Sequence, residues 1–218
     1  AATEAFGRID ILVNNAGIVR DRTLVKMDEA DFDAVVGTHM KGTFNMARHA
    51  APLMKEAGYG RIVNITSSAG LRGNFGQTNY GAAKAGIMGM TFVWALELAK
   101  YGVTVNALAP AGITRMTAKL SEDGEPEEVP PELDPSLNAP LVAYLASEQA
   151  AGVNGQVFGR TDFSYTLFQH PRPIAWMHRD GGWDVDSVAE QFDTMLGQHL
   201  QQVGMVMPRG LSQDSART

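Results

Sequence analysis

The sequence predicts an α/β fold built on a parallel sheet, and two observations lead to that prediction. Short apolar runs alternate with long stretches of helical periodicity through the first half of the chain. Hydrophobic residues make up 44% of the 218 residues, which is enough to bury a sizeable core. A strand, a helix and a second strand in this order form right-handed crossover units of one parallel sheet.

Four apolar runs are predicted to be strands. The first three are Ile9–Asn14, Arg61–Ile65 and Val103–Leu108, and a fourth lies near Gln156–Phe158. We expect Ile9–Asn14 to be buried on both faces, as strands of a parallel sheet between helices usually are.

Two long helices are predicted between the first three strands. One covers Asp31–Glu56 with Asp28 as its N-cap, and the other covers Asn79–Lys100. Ser67–Gln77, rich in serine and glycine, is predicted to be a loop. The apolar side of the first helix is expected to face the core: Phe32, Val35, Val36, Phe44, Ala47 and Leu53.

The second half of the chain changes character. Residues 121–140 are acidic and rich in proline, so we predict a mobile loop there, followed by a helix over Pro140–Ser147. Near the end, an N-cap at Asp184 or Asp186 begins an amphipathic helix that we expect to reach Leu200.

Composition excludes several kinds of function. The net charge is −6 and no basic block occurs, which argues against a nucleic-acid partner. The chain has no cysteines, so disulfides and thiolate metal sites are excluded, and its five scattered histidines indicate no metal site. The apolar runs are short and broken by charges, so we expect no membrane segment. No signal peptide is visible, and we expect a cytoplasmic location.

The stretch QTNYGAAKAG, residues 77–86, places a tyrosine and a lysine on one helical face. Tyr80 and Lys84 stand four residues apart, so both side chains can project into one cleft. A nearby ammonium favours the phenolate of a tyrosine, whose ordinary pKa is near 10. Taken alone, this spacing fits a catalytic pair and equally a buried tyrosine beside a lysine that reaches the surface.

Further motifs decide between these two interpretations. Asn14-Asn15-Ala16-Gly17 follows the first strand, Ser67 stands ahead of Tyr80, and Asn106-x-x-x-Pro110 follows the third strand. In this order and spacing, the sequence resembles the short-chain dehydrogenase/reductase family over roughly residues 1–160. Stretches such as KGTFN, GNFGQTNY and APLVAYL look most similar to the hydroxyacyl-CoA dehydrogenases of peroxisomal beta-oxidation and related bacterial enzymes.

The resemblance implies an oxidoreductase that transfers a hydride between NAD or NADP and a secondary alcohol or ketone. It implies that Tyr80 exchanges a proton with the substrate oxygen, that Ser67 hydrogen-bonds the same oxygen, and that Lys84 holds the cofactor ribose and lowers the Tyr80 pKa. It also implies a set of cofactor neighbours: Asn15, Ala16, Gly17, Ile65, Tyr80, Lys84, Pro110, Ile113 and Thr114. Ala111 adds one residue to the commoner Pro-Gly pattern of the family.

His39 stands where many family members have an asparagine that supports a proton relay through water. Histidine donates and accepts hydrogen bonds and titrates near neutral pH, so it is able to carry such a relay. A histidine that only satisfies backbone groups fits the sequence equally well.

The glycine-rich turn that holds the pyrophosphate of a dinucleotide does not occur in the sequence. Against the family strand order 3-2-1-4-5-6-7, we expect a partial Rossmann fold that lacks its first three strands. We expect 1–160 to be the incomplete core and 161–218 a C-terminal extension with one amphipathic helix. Ile9–Asn14 would then be an unpaired apolar edge, and the isolated chain should bind cofactor weakly or not at all.

The substrate remains open among several classes at this point. A 3-hydroxyacyl-CoA or a steroid-like alcohol is the leading expectation, and a 3-oxoacyl-ACP reductase shares every catalytic motif. A non-catalytic fragment that acts only through protein contacts is the alternative from another class. The resemblance also implies a homo-oligomer, because the two long helices of the family commonly pair between subunits.

Overall fold

The computed structural model describes residues 1–114 and 128–204. The chain divides into two compact units, one over Ala1–Phe168 and the other over Gln169–Val203. The first part of the expected mobile loop, residues 121–127, lies outside the described residues. Its last part contains two helical turns of the 3-10 type, Pro131–Leu133 and Pro135–Asn138.

One sheet organises the first unit. In the described part of the chain it has five strands in sequential order: β1 (Ile11–Asn14), β2 (Gly60–Ile65), β3 (Val103–Ala109), β4 (Val157–Thr161) and β5 (Ser164–Phe168). The first four strands pair in parallel, as predicted, and β5 returns antiparallel to β4. We did not predict β5, which extends the first unit beyond residue 160 because it pairs with β4 through a two-residue turn.

Six helices in the described part of this unit connect or flank the strands: α1 (Ala2–Phe6), α2 (Glu29–Val36), α3 (Gly42–Ala57), α4 (Ser68–Arg72), α5 (Thr78–Leu98) and α6 (Ala139–Leu145). Asp28 caps α2 as predicted, accepting a hydrogen bond from the Asp31 amide at 2.7 Å. The single helix expected over Asp31–Glu56 is interrupted by a π-helical turn at Gly37–Lys41. The segment expected to be a loop contains α4, which Ser67 caps.

Two apolar clusters hold the layers together. On one face of the sheet, α3 and α5 cover Leu12, Ile62 and Val105. On the other face, α6 contributes Leu145 against Val63, Ile65 and Leu108. The sheet is therefore sandwiched at β2 and β3, and its carboxyl ends lie between helices on both faces.

The prediction that β1 is buried on both faces is wrong. Leu12 and Asn14 are buried against α3 and β2, but Ile11 and Val13 are 48% and 40% exposed. Ile11 and Val13 lie on the face of the sheet that α6 covers at β2 and β3. β1 pairs with β2 on one side and with no described strand on the other. β1 is thus an open edge whose outer face keeps apolar side chains in contact with water.

Three of the side chains expected in the core also reach the surface. Val35 and Ala47 are buried, but Phe32, Phe44 and Leu53 are between 37% and 45% exposed. The π-helical turn adds residues to one turn, so side chains before and after it no longer share one helical face.

α5 and the turn after it, Thr78–Tyr101, form the one described stretch long and apolar enough in composition to cross a membrane, with a mean hydropathy of 1.2. Such a stretch is weak support for a span, since core helices have the same composition. Here the inner side packs on the sheet through Ala83, Ile87, Thr91 and Ala95. One side of α5 thus belongs to the core, although only 28% of its most apolar stretch is buried. The absence of a membrane segment stays a prediction.

The second unit contains α7 (Val185–Met195). Asp184 is its N-cap, accepting from the Ser187 amide at 2.8 Å, while the Ser187 hydroxyl accepts from the Asp184 amide. The predicted helix start is confirmed. The helix ends at Met195 rather than Leu200, and a 3-10 turn follows at Gly197–His199.

Candidate active site

Three loops meet at the carboxyl ends of β1, β2 and β3 and enclose a cleft of about 860 Å³. Ligands of open parallel α/β sheets bind at this edge. The lining includes residues from all three loops and from the first turn of α5 and α6: Asn15, Ile65, Ser67, Tyr80, Pro110, Thr114, Asn138 and Val142.

Ser67 is fixed at the N-terminus of α4, directly after β2. Its extended backbone suits an N-cap, and its hydroxyl oxygen accepts from the Ala69 amide at 3.2 Å. The hydroxyl also lies close enough to the Tyr80 phenol to lower the pKa of that phenol. Because the oxygen accepts from the backbone, the Ser67 proton is available to donate into the cleft.

Tyr80 lies in the first turn of α5, partly buried, and lines the cleft. Burial raises its pKa above the ordinary 10.0, the Ser67 hydroxyl lowers it, and the Asp21 carboxylate raises it further. Lys84 was expected to lower this pKa, but the net direction in the chain itself is upward. Desolvation of the phenolate outweighs the other effects, so Tyr80 is protonated at neutral pH.

Lys84 is buried one turn farther along α5, with 3% of its surface exposed. Its ammonium donates to the Ile65 carbonyl oxygen at 2.7 Å and lies 5.4 Å from the centroid of the Tyr80 ring. Burial lowers the Lys84 pKa to about 8. The alternative of a lysine reaching toward the surface is excluded for this side chain, since its charged end is inside the protein.

His39 lies in the π-helical turn and is 2% exposed. Its Nε2 atom is 2.7 Å from the Ile18 carbonyl oxygen and 3.1 Å from the Ile18 amide nitrogen. Its ring meets that of Tyr80 edge to face, with centroids 5.1 Å apart. Burial lowers the His39 pKa, so the ring is neutral at neutral pH. Nδ1 has no hydrogen-bond partner among the described residues.

The turn after β1 packs directly on this histidine. A Cβ atom on Gly17 would overlap Cε1 of His39 and lie 3.0 Å from Nδ1, so only glycine fits there. His39 thereby ties the Asn14–Gly17 turn to Tyr80. Asn14 itself, at the end of β1, donates to Oδ1 of Asn64 on β2 at 2.8 Å.

The structure brings most of the predicted cofactor neighbours to one place. Asn15, Ile65, Pro110 and Thr114 line the cleft beside Tyr80. Ile113 is instead held by its amide, which donates to the Leu133 carbonyl at 2.9 Å. Ala16 and Gly17 belong to the adjoining turn. Across 1–114 and 128–204 no cluster of metal-ligating side chains occurs.

Sequence reasoning did not identify several residues that shape the site. Gln77 donates to the Asp21 carboxylate at 2.9 Å, and this pair lies beside Tyr80. Asn138 lines the opposite wall, and Arg160 holds the loop behind it. Nothing in their local sequence signals these roles, because each depends on contacts between segments far apart in the chain.

The cleft fits one end of a dinucleotide. The Lys84 ammonium has three donors and Ile65 takes one, which leaves donors for ribose hydroxyls at the ends of β1 and β2. The pyrophosphate end has no matching glycine-rich turn in the sequence. The residues present therefore fit the ribose and nicotinamide end, and no phosphate-binding turn accompanies them.

Comparison with known proteins gives a consistent result. The sequence profile described as short chain dehydrogenase matches residues 1–125. The 3-oxoacyl-(acyl-carrier-protein) reductase FabG of Thermotoga maritima is 46% identical over 72% of this chain and 66% of its own length. Hydroxyacyl-CoA dehydrogenase ChsB1 of Mycobacterium tuberculosis is 41% identical over 84% of this chain and 62% of its length.

Solved structures agree with the sequence relatives. A crystal structure of a short chain dehydrogenase from Mycobacterium avium superimposes with a TM-score of 0.79 at 39% identity, covering 95% of this chain and 69% of that one. The full-length peroxisomal multifunctional enzyme type 2 of Drosophila melanogaster gives a TM-score of 0.72 at 34% identity, covering 89% of this chain and 35% of that one. The chain spans about two thirds or less of the length of the curated relatives it matches.

Proposed function

Since this chain belongs to the short-chain dehydrogenase family, we propose that it carries the catalytic part of an NAD(P)-dependent oxidoreductase for secondary alcohols and ketones. The observation that supports this most directly is that Ser67 and Tyr80 line one cleft, with the buried Lys84 ammonium 5.4 Å from the centroid of the Tyr80 ring. A Ser67–Tyr80 pair at the carboxyl ends of parallel strands is suited to hold a carbonyl oxygen from two sides.

In the reductive direction Tyr80 acts as the acid. Its raised pKa keeps the phenol protonated, so it donates a proton to the substrate oxygen as negative charge develops there. The Ser67 hydroxyl donates a hydrogen bond to the same oxygen and lowers the energy of that charge. In the oxidative direction the proton transfer reverses, so the phenolate form of Tyr80 accepts the proton of the alcohol. Ser67 donates to the same oxygen in both directions.

Lys84 supports both directions through its position. It is buried beside Tyr80, and its charge stabilises a phenolate more strongly when a ligand has excluded water from the cleft. Its remaining donors are suited to the ribose hydroxyls of a nicotinamide dinucleotide, and that group supplies the hydride when bound. We propose NAD or NADP as this cofactor.

A 3-hydroxyacyl-CoA is the proposed substrate class, and a steroid-like alcohol belongs to the same proposal. ChsB1, which matches over most of this chain, is named a hydroxyacyl-CoA dehydrogenase. The apolar wall from α6, with Ala139, Val142 and Ala143, suits a hydrocarbon chain. Reduction of a 3-oxoacyl-ACP is the second candidate, favoured by the 46% identity to FabG.

The test is turnover of acyl-CoA, acyl-ACP and steroid substrates by the protein, each with Tyr80→Phe as control. The phenylalanine keeps the ring and removes the proton donor, so we expect activity to fall on the order of 10²–10⁴-fold. Undiminished activity in Tyr80→Phe contradicts the mechanism. The substrate with the highest kcat/KM decides between the candidate classes.

The open edge of β1 leads to a proposal about cofactor binding. Ile11 and Val13 keep apolar surface exposed there, which fits a missing layer of structure that also carries the phosphate-binding turn. We expect the 218-residue chain alone to bind NADH or NADPH weakly, as measured by fluorescence titration. Tight binding of NADH or NADPH by this chain contradicts the proposal. If a longer form of the chain is also inactive, a non-catalytic role through protein contacts is favoured.

A second copy of the chain is the proposed partner for the outer surface of α3 and α5. Phe44, Met46, Val93 and Leu96 are between 45% and 82% exposed, and only 28% of the apolar window in α5 is buried. Leu96→Glu should shift the sedimentation coefficient toward a monomer because it places a charge on this surface. Val25→Glu, at a side chain 89% exposed elsewhere, should not.

A further inference from the structure

Arg160 is a buried cation that joins several segments behind the cleft. It lies in β4, with 4% of its surface exposed. Its guanidinium donates to four main-chain oxygens and one side-chain oxygen: the carbonyls of Ala111, Glu132, Asp134 and Asp162, and Oδ1 of Asn138. Within the described residues, no carboxylate lies at ion-pair distance from it.

Asn138 completes the arrangement from the turn before α6. Its Nδ2 donates to the Ala111 carbonyl at 2.8 Å, and its Oδ1 accepts from the Ala111 amide at 3.2 Å. Nδ2 also donates to the Pro135 carbonyl at 2.8 Å. Asn138 thus pairs with both the amide and the carbonyl of Ala111. Arg160, on β4, donates to the same Ala111 carbonyl.

The segment held in this way is a wall of the cleft. Pro110, Gly112 and Thr114 line the cleft on either side of Ala111. The same segment is fixed at a second point, where the Ile113 amide donates to the Leu133 carbonyl at 2.9 Å. Leu133 lies between Glu132 and Asp134, whose carbonyls Arg160 also holds.

The chemistry of arginine explains why this residue type stands here. Burying a guanidinium is unfavourable unless its donors are satisfied, and the oxygens around Arg160 satisfy them. The planar fork of five N–H groups reaches acceptors from several segments at once, whereas a lysine ammonium is a compact charge with three donors.

We infer that Arg160, together with Asn138, is a positioning residue that fixes Pro110–Thr114 as the wall of the cleft beside Tyr80. Neither residue is assigned contact with the reacting atoms; they act through the main chain of Ala111. The positioning of Pro110–Thr114 is inferred from the contacts alone. The effect of Arg160 and Asn138 on turnover rests on the proposed dehydrogenase function.

Arg61 provides a matched control at the opposite end of the sheet. It is 3% exposed and donates only to main-chain carbonyls, those of Gly60, Gly102 and Ser147. Arg61→Met and Arg160→Met remove the same buried charge and comparable hydrogen bonds. Only Arg160→Met removes hydrogen bonds that hold the cleft wall.

The first measurement is amide hydrogen exchange on the 218-residue chain. In Arg160→Met the Ala111 and Ile113 amides should exchange at least about tenfold faster, relative to core amides of β2, than in Arg61→Met. Arg160→Lys should not restore protection. If Arg160→Met does not fold, Asn138→Ala tests the same point with Arg160 retained. Equal exchange in the two methionine variants overturns the inference.

The second measurement is steady-state kinetics with the concentration of the nicotinamide cofactor varied. Arg160→Met should raise KM for the nicotinamide cofactor about tenfold or more, with a smaller change in kcat, while Arg61→Met leaves KM unchanged. The same KM in both variants overturns the inference for catalysis. If the wild-type protein shows no turnover, the proposed function is contradicted. If Arg160→Met still loses exchange protection in that case, the positioning role is supported.

Discussion

The ring of His39 meets the ring of Tyr80 edge to face, with centroids 5.1 Å apart, while its Nε2 atom lies 2.7 Å from the Ile18 carbonyl oxygen. This single side chain connects the turn after β1 to the proposed catalytic tyrosine. It is neutral and buried, so it is suited to hold both partners in place without adding a charge beside the phenol.

His39 makes stability depend on pH in a defined direction. Its pKa is lowered in the folded chain below the ordinary 6.5, so the unfolded chain binds a proton first as the pH falls. Stability from this residue is complete above about pH 6.5 and is lost as the pH falls through the folded pKa. Denaturant unfolding of wild type and His39→Gln between pH 5 and pH 8 should show a steeper loss in the wild type.

The kinetic role of His39 needs its own measurement. In assays of turnover, His39→Ala should change the pH profile if the histidine carries a proton relay. Unchanged turnover and an unchanged profile remove His39 from the mechanism and leave its packing role. His49→Ala, at an exposed histidine of α3, serves as the control.

Lys84 makes stability rise with pH in the alkaline range. Burial lowers its pKa from 10.5 to about 8, so between these values the unfolded chain holds a proton that the folded chain has lost. The free energy of unfolding should therefore increase across this window, by at most on the order of 3 kcal/mol. Lys84→Met removes the titrating group and should flatten the increase.

Only the part of that window below pH 10 is informative, because Tyr80 titrates above it with the opposite sign. Lys26→Met, at an exposed lysine ahead of α2, is the control and should keep the wild-type slope. An unchanged slope in Lys84→Met contradicts the burial of an ionisable ammonium at this position.

Asp21 is expected to tune Tyr80 from outside the cleft. Its carboxylate raises the Tyr80 pKa, and Gln77 holds it in place at 2.9 Å. Asp21→Asn keeps an oxygen for Gln77 and removes the charge, so the alkaline limb of the oxidation profile should move down by a fraction of a pH unit. The shift should shrink at high ionic strength, and Glu29→Gln should produce none.

Gly17 and Gly89 form a matched pair of glycine substitutions. A methyl group on Gly17 would overlap the His39 ring, so Gly17→Ala should cost about 1–3 kcal/mol of unfolding free energy. Gly89 lies on the exposed side of α5 with nothing within 4 Å, so Gly89→Ala should stabilise the chain by about 0.5–1 kcal/mol. Equal effects of the two changes on the denaturation midpoint would contradict the close packing of His39.

The order of strands and the positions of Ser67, Tyr80 and Lys84 were predictable from the sequence. Strand and helix periods, an asparagine-rich turn and the Tyr80–Lys84 spacing each depend on residues close together in the chain. The parallel order of β1–β4 followed from them, because crossover helices leave few other topologies.

The features that were missed depend on distant segments. The exposure of Ile11 and Val13 is set by which elements cover β1, and apolar sequence alone does not state this. The π-helical turn at Gly37–Lys41 has no local sequence signature, and Phe44 and Leu53 farther along the chain are 45% and 41% exposed. The direction in which the Tyr80 pKa shifts depends on burial, which the i, i+4 spacing of Tyr80 and Lys84 does not predict.

The contacts of Arg160 leave the amino-acid sequence of the surrounding loop largely unconstrained. Four of its five acceptors within the described residues are main-chain oxygens, which every residue type provides. Side chains at Glu132 and Asp134 can therefore be exchanged without removing the anchor, provided the backbone keeps its path. A library that varies 131–137 while keeping Asn138 and Arg160 would remodel the rim of the substrate cleft on a fixed support.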